Sequence, residues 1–209
     1  MGLLGIPTKP KKGNCDNDGN NIRYKNRNYS NEDAVENLLH YVTRTRENED
    51  RKDDLINYGA VGADYIHSVD DMIQQFRYIQ YIHGINTRCG RRMYHEVFNL
   101  KDCELERLAY APEILWQIGM ECCQVYYQMG HQAAFAVHWE PEKRCHIHFA
   151  VNSINYITGA KWHTKLPEIK EREGIFNEIL RKYQIMVTGA IEPLEFLDSE
   201  NDGGNVFYG

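Results

Sequence analysis

The apolar positions of this 209-residue chain change period along its length. Val35, Leu38, Leu39 and Val42 recur at helical spacing. Ser30 precedes them as a capping candidate, with Asp33 three residues on, and the pattern predicts a helix over 31–46. The next stretch, ENEDRKDDLINYGAVGADY, is charged and then glycine-bearing, and reads as a connection. A second helix is expected over 69–83, with Met72, Phe76, Ile79 and Ile82 turned inward and Gly84 as its stop. RRMYHEVFNL, residues 91–100, alternates and is rich in β-formers, so it reads as a strand. Residues 111–129 give the strongest helix, with Pro112 in its first turn and Gly130 just past its end. Two strands follow, 131–140 and 145–153, joined by a turn that contains Pro141; a short third covers 161–164. A last helix is expected over 167–183, with Ile169, Ile175, Phe176, Ile179 and Leu180 available for packing. Residues 1–29 are polar and aperiodic and read as an arm, and residues 188–209 as an acidic, glycine-containing tail. The order of elements over 30–187 implies an α+β domain, a central antiparallel sheet covered by helices.

Composition changes this picture little. Hydrophobic residues make up 42% and charged residues 26%, ordinary for a globular protein. No apolar run approaches the roughly 18–20 residues that span a bilayer. The start, MGLLGIPTKPKKGN, has its positive charges after its apolar part, the reverse of a secretory signal, so a cytoplasmic protein is expected. Six cysteines occur without a CxxC and read as reduced thiols. The adjacent Cys122 and Cys123 read as core.

Charge matters more. A net −6 argues against gripping duplex DNA by bulk electrostatics. The distribution is uneven: residues 1–52 hold 10 Lys and Arg against 8 Asp and Glu, and the remainder 14 against 22. Arg88, Arg91 and Arg92, and Lys143 with Arg144, are local basic clusters, either solvated faces or a phosphate track on an acidic body.

The candidate chemistry lies in the strands around Pro141. Alternation puts His146, His148, Ala150 and Asn152 on one face, and Ile147, Phe149 and Val151 on the other. On the preceding strand Ala134, Ala136, His138 and Glu140 share a face. A hairpin closing near residue 143 pairs positions whose numbers sum to about 286. His138 then faces His148, Glu140 faces His146, and small alanines leave room for a ligand. Three neutral imidazoles suit a divalent transition ion, and three protein ligands leave positions open for water or substrate.

HQAAFAVHWEPEKRCHIHFAVNSIN resembles the histidine signature of conjugative relaxases, the HUH endonucleases of plasmid mobilisation, and looks closest to their P-type (VirD-like) class. The pattern H-x-[DE]-spacer-H-x-H-x-x-x-N falls on His138, Glu140, His146, His148 and Asn152. Glu140 stands where the family usually has Asp. The resemblance implies that the three histidines hold Mn2+ or Mg2+ with the acid in support. It implies a sheet with helices packed on one side, and cleavage of one DNA strand through a 5′-phosphotyrosyl link. It also implies single-stranded origin-of-transfer DNA as substrate, with accessory relaxosome proteins and a type IV secretion coupling protein as partners.

A free phenol ionises near pH 10, so a tyrosine nucleophile needs a base or the field of an ion. LLHYVTRTR, residues 38–46, resembles the family's nucleophile helix and points to Tyr41, with Arg44 near the scissile phosphate. Tyr24, Tyr29 and His40 are the fallback nucleophiles. Arg91, Arg92, Lys143 and Asn152 are the further DNA-contact candidates. His95 is given no catalytic role. Trp139 and Trp162 could stack on bases or fill the core. Two other readings remain open: a rolling-circle initiator or transposase, whose tyrosine follows the histidines as Tyr183 does, and a non-catalytic DNA-binding module whose three histidines hold a structural zinc, with Cys145 as a further ligand candidate that alternation turns to the opposite face.

Overall fold

The computed structural model describes residues 21–24, 29–47, 50–64, 67–83, 90–100, 112–139 and 145–188. Among these residues, five strands form one antiparallel sheet: β1 (Asn21–Tyr24), β2 (Leu55–Val61), β3 (Met93–Asn99), β4 (His131–His138) and β5 (His146–Asn155). Their order across the sheet is β1-β3-β5-β4-β2. Among the described residues, four α-helices cover it: α1 (Ala34–Val42), α2 (Val69–Ile82), α3 (Pro112–Gln128) and α4 (Leu166–Thr188). Among the described residues, no helix is long and apolar enough to cross a membrane.

Strand alternation sorts the two faces as the sequence predicts. Phe135, Val137, Ile147, Phe149 and Val151 pack under α3 and α4 with Tyr126, Phe176 and Leu180. Ala134, Ala136 and Ala150 lie on the histidine face, under Leu38, Leu39 and Val42 of α1 and Met72 and Phe76 of α2. Helices therefore cover both faces rather than one. The alanines do not open a ligand cavity. Their short side chains let α1 lie close to the sheet.

Several local expectations are corrected. The presumed connection contains β2, an edge strand half-buried along its whole length, so it shows no alternation for a sequence to display. Residues 21–24, expected in the arm, pair with β3. The first helix starts at Ala34 behind Asp33, not Ser30. Ile82 and Ile175 are exposed. The third short strand reduces to a single bridge between Ile154 and Lys161. Gly130 does take a positive φ of 90° at the end of α3, where a side chain would be strained. The expected stop at Gly84 lies outside the described residues.

The β4–β5 register differs by two residues from expectation. His138 faces His146, and His148 faces Ala136. A shift of two leaves every side chain on its predicted face, so the histidines still converge.

Candidate metal and nuclease site

The C-terminal end of β4 and the start of β5 place His138, His146 and His148 together. One ligand nitrogen from each lies within 4.8 Å of the others. Ring centroids are 4.4 Å apart for His138 and His148, 4.7 Å for His146 and His148, and 5.5 Å for His138 and His146. His138 is fully buried, while His146, at 8% exposure, faces the rim.

The donor set fits a metal ion. Nε2 of His148 is buried and has no hydrogen-bond partner among the described residues. Such an atom is costly unless something occupies it. Burial, and then the neighbouring His138, His95, His146 and Arg44, hold the His148 pKa well below the usual 6.5, so the ring is neutral and its lone pair available. His138 is more committed. Its Nδ1 accepts from Arg44 at 3.2 Å, and its Nε2 donates to the Val42 carbonyl at 2.5 Å. Metal entry at His138 displaces one of these bonds. Val42 ends α1, so the negative end of the helix dipole adjoins the triad and favours a cation.

The turn after α1 supplies the other groups. Thr45 N donates to His40 O at 3.1 Å, closing a Schellman turn with Arg44 in its left-handed slot at φ 55°. Glycine usually fills that slot, and a side chain there is strained. In this conformation the Arg44 side chain lies against His138 and Tyr41. It is 2% exposed, and its guanidinium carbon sits 5.4 Å from the Tyr41 ring centroid. Arg46 lies at 5.5 Å from the same ring. The half-buried Tyr41 ring stands edge-on to His95 at 5.8 Å and to His148 at 5.9 Å.

The remaining candidates separate. Asn152 is fully buried, and its amide is saturated. Nδ2 donates to Phe76 O and Gln132 Oε1, while Oδ1 accepts from Gln80 Nε2 and Ile154 N. In place of the expected DNA contact it ties α2 to β5. Arg91 lies over the Tyr94 ring, and Arg92 pairs through its backbone with Tyr29 and Ser153, five residues along β5 from His148. At about 3.4 Å per residue that is roughly 17 Å from the triad. Glu140 and Lys143 lie outside the described residues. His40 is held by Thr45 at 2.7 Å and faces Asp70 at 3.7 Å. Trp162 is buried in the core against Tyr94 and Arg172. Tyr183 bonds to Glu121 and packs on the opposite face of the sheet, away from the histidines. Cys145 is also in the cluster on that face, away from the histidines, which argues against a Cys/His zinc site.

The family model described as Relaxase: MobA/VirD2-like, nuclease domain matches residues 41–185. The chain belongs to the MobA/VirD2-like relaxases. The matched span of this relaxase includes Tyr41, Arg44 and all three histidines. No curated protein matches the chain. Membership supports a DNA-nicking role, and the triad can hold the metal ion such a domain uses.

One residue of this relaxase site was missed by sequence reasoning. His95 on β3 bonds through Nε2 to His148 Nδ1 at 2.7 Å and through Nδ1 to Tyr29 Oη at 3.1 Å. The available signal was the alternation of YHEVFNL, which puts His95 on one face with Met93 and Val97. Only the pairing of His95 with Ala150 brings that face alongside His148.

Proposed function

We propose that this relaxase domain nicks and rejoins one strand of origin-of-transfer DNA through a phosphotyrosyl intermediate on Tyr41, in the cytoplasm, and so initiates conjugative transfer. The observation that carries this reading is the position of Tyr41. Its ring lies edge-on to His148 and His95, with Arg44 and Arg46 against it.

Tyr41 Oη bonds to phosphorus as the P–O3′ bond breaks, leaving a 5′-phosphotyrosyl enzyme and a free 3′-hydroxyl. Attack by that hydroxyl reverses the step and rejoins the strand. His138, His146 and His148 would hold Mn2+ or Mg2+, which supplies charge neutralisation at the nonbridging oxygens. Arg44, fixed beside the triad, leaves His138 to donate to the same phosphate. Glu140 supports the histidines. Arg91, Arg92 and Lys143 track the backbone away from the cut, so binding comes from local contacts rather than net charge. Accessory relaxosome proteins and a secretion coupling protein are the partners this reading implies.

The test is incubation with a single-stranded origin oligonucleotide and Mn2+, followed by mass spectrometry of the cross-linked peptide. An adduct on the peptide carrying Tyr41 is expected. An adduct on Tyr29, His40 or Tyr183 assigns the nucleophile elsewhere.

A further inference from the structure

We propose that His95, backed by Tyr29, is a positioning residue that sets the tautomer of His148 and so turns its Nε2 lone pair toward the ion. The inference rests on the metal reading of the triad.

A neutral imidazole carries one N–H. His148 Nδ1 and His95 Nε2 are 2.7 Å apart, so one proton lies between them. If His95 donated it, the proton of His148 would sit on Nε2. That nitrogen is buried and has no acceptor among the described residues, so the arrangement strands a buried donor. If His148 Nδ1 donates, Nε2 keeps its lone pair. His95 then accepts on Nε2, carries its own proton on Nδ1, and donates to Tyr29 Oη at 3.1 Å.

Either form leaves Nε2 short of a partner among the described residues, but only the lone pair can be filled by an ion, so the metal reading sets the direction of the whole chain. Ligating histidines are generally held in this way, through the nitrogen that does not touch the ion. Here the holder is another histidine one strand away, and the holder's holder is Tyr29. Both lie inside the protein, at 2% and 9% exposure. Tyr29 lies just outside the family match, and its backbone carbonyl accepts from Arg92 N, which fixes it beside β3.

The full chain is titrated with Mn2+ alone by calorimetry, and the His148 tautomer is read from long-range 1H–15N spectra of the metal-free protein. The wild type is expected to show the proton on Nδ1. His95→Ala is expected to weaken Mn2+ binding about 10–100-fold. His95→Gln, whose side-chain carbonyl can accept the same bond, is expected to recover most of that loss. Tyr29→Phe shifts affinity in the same direction by less. Equal Mn2+ affinity in folded His95→Ala and wild type overturns the proposal, as does a proton on His148 Nε2. If His95→Ala does not fold, His95→Gln and the wild-type tautomer decide. A wild type that takes up no Mn2+ removes the metal reading itself, and this proposal with it.

Discussion

Replacing Arg44 separates two contributions that this residue combines. Its backbone sits at φ 55°, where a side chain costs about 1–2 kcal/mol and glycine costs almost nothing. Its guanidinium donates to His138 and lies on the Tyr41 ring. Arg44→Ala and Arg44→Gly both remove the guanidinium, so that loss cancels between them. The strain remains only in Arg44→Ala. Arg44→Gly is therefore expected to be the more stable by about 1–2 kcal/mol. For a chain of this size each kcal/mol moves Tm by about 2–4 °C, so the gap is roughly 2–8 °C. Both variants are expected to nick single-stranded DNA about 10²-fold more slowly, the usual effect of losing one donor to developing charge. Thermal unfolding by circular dichroism and strand cleavage with Mn2+ are the assays. Equal Tm values for the two variants would refute the strained turn. Cleavage at wild-type rate by either would remove the guanidinium from the site.

The remaining predictions address other groups. Tyr41→Phe is expected to keep oligonucleotide affinity and form no covalent adduct, read on a denaturing gel; a wild-type adduct yield sinks the nucleophile assignment. Chelation should stop cleavage and added Mn2+ restore it, and cleavage indifferent to EDTA discards metal assistance. Asn152→Ala leaves Gln80 and Gln132 short of a partner, so Tm is expected to fall by about 2–12 °C, for roughly 1–3 kcal/mol, with DNA affinity of the folded protein unchanged. Unchanged Tm with weakened DNA binding would return Asn152 to the interface. Burial holds the His131 pKa below 6.5 despite its bonds to the Asn152 and Ile154 backbone. The unfolded chain thus takes up the proton first, and stability falls as pH drops below about 6.5 until the lowered native pKa is passed. Urea midpoints at pH 7.5 and 5.5 should show a smaller drop in His131→Gln than in wild type; an equal drop places the acid sensitivity elsewhere.

What was legible in the sequence follows from periodicity. Alternation along HQAAFAVH and HIHFAVN sorted both faces of β4 and β5, because one face is wholly apolar and the other carries the histidines. The same alternation could not fix register, since pairing His138 with His146 or with His148 exposes the same faces. β2 was hidden because both its sides are half-covered, and because Gly59, pressed against the Phe135 ring, breaks its pattern with no side chain at all. Arg44 was named from its place after Tyr41, but its left-handed turn gave no signal, as a helix end that expects glycine carries a charged residue. The role of Asn152 was misjudged for a related reason. Motif position located it on the correct face, but only the fold shows α2 lying across it.

The close seat of α1 on Ala134, Ala136 and Ala150 has a mechanical consequence. Phenol, carbonyl and guanidinium arrive at the histidines on four consecutive residues, Tyr41 to Arg44, carried by one short rod. None can be adjusted alone. A methyl group added to this alanine face is expected to lift the rod and withdraw all three together, so the reaction centre is assembled or dismantled as a unit.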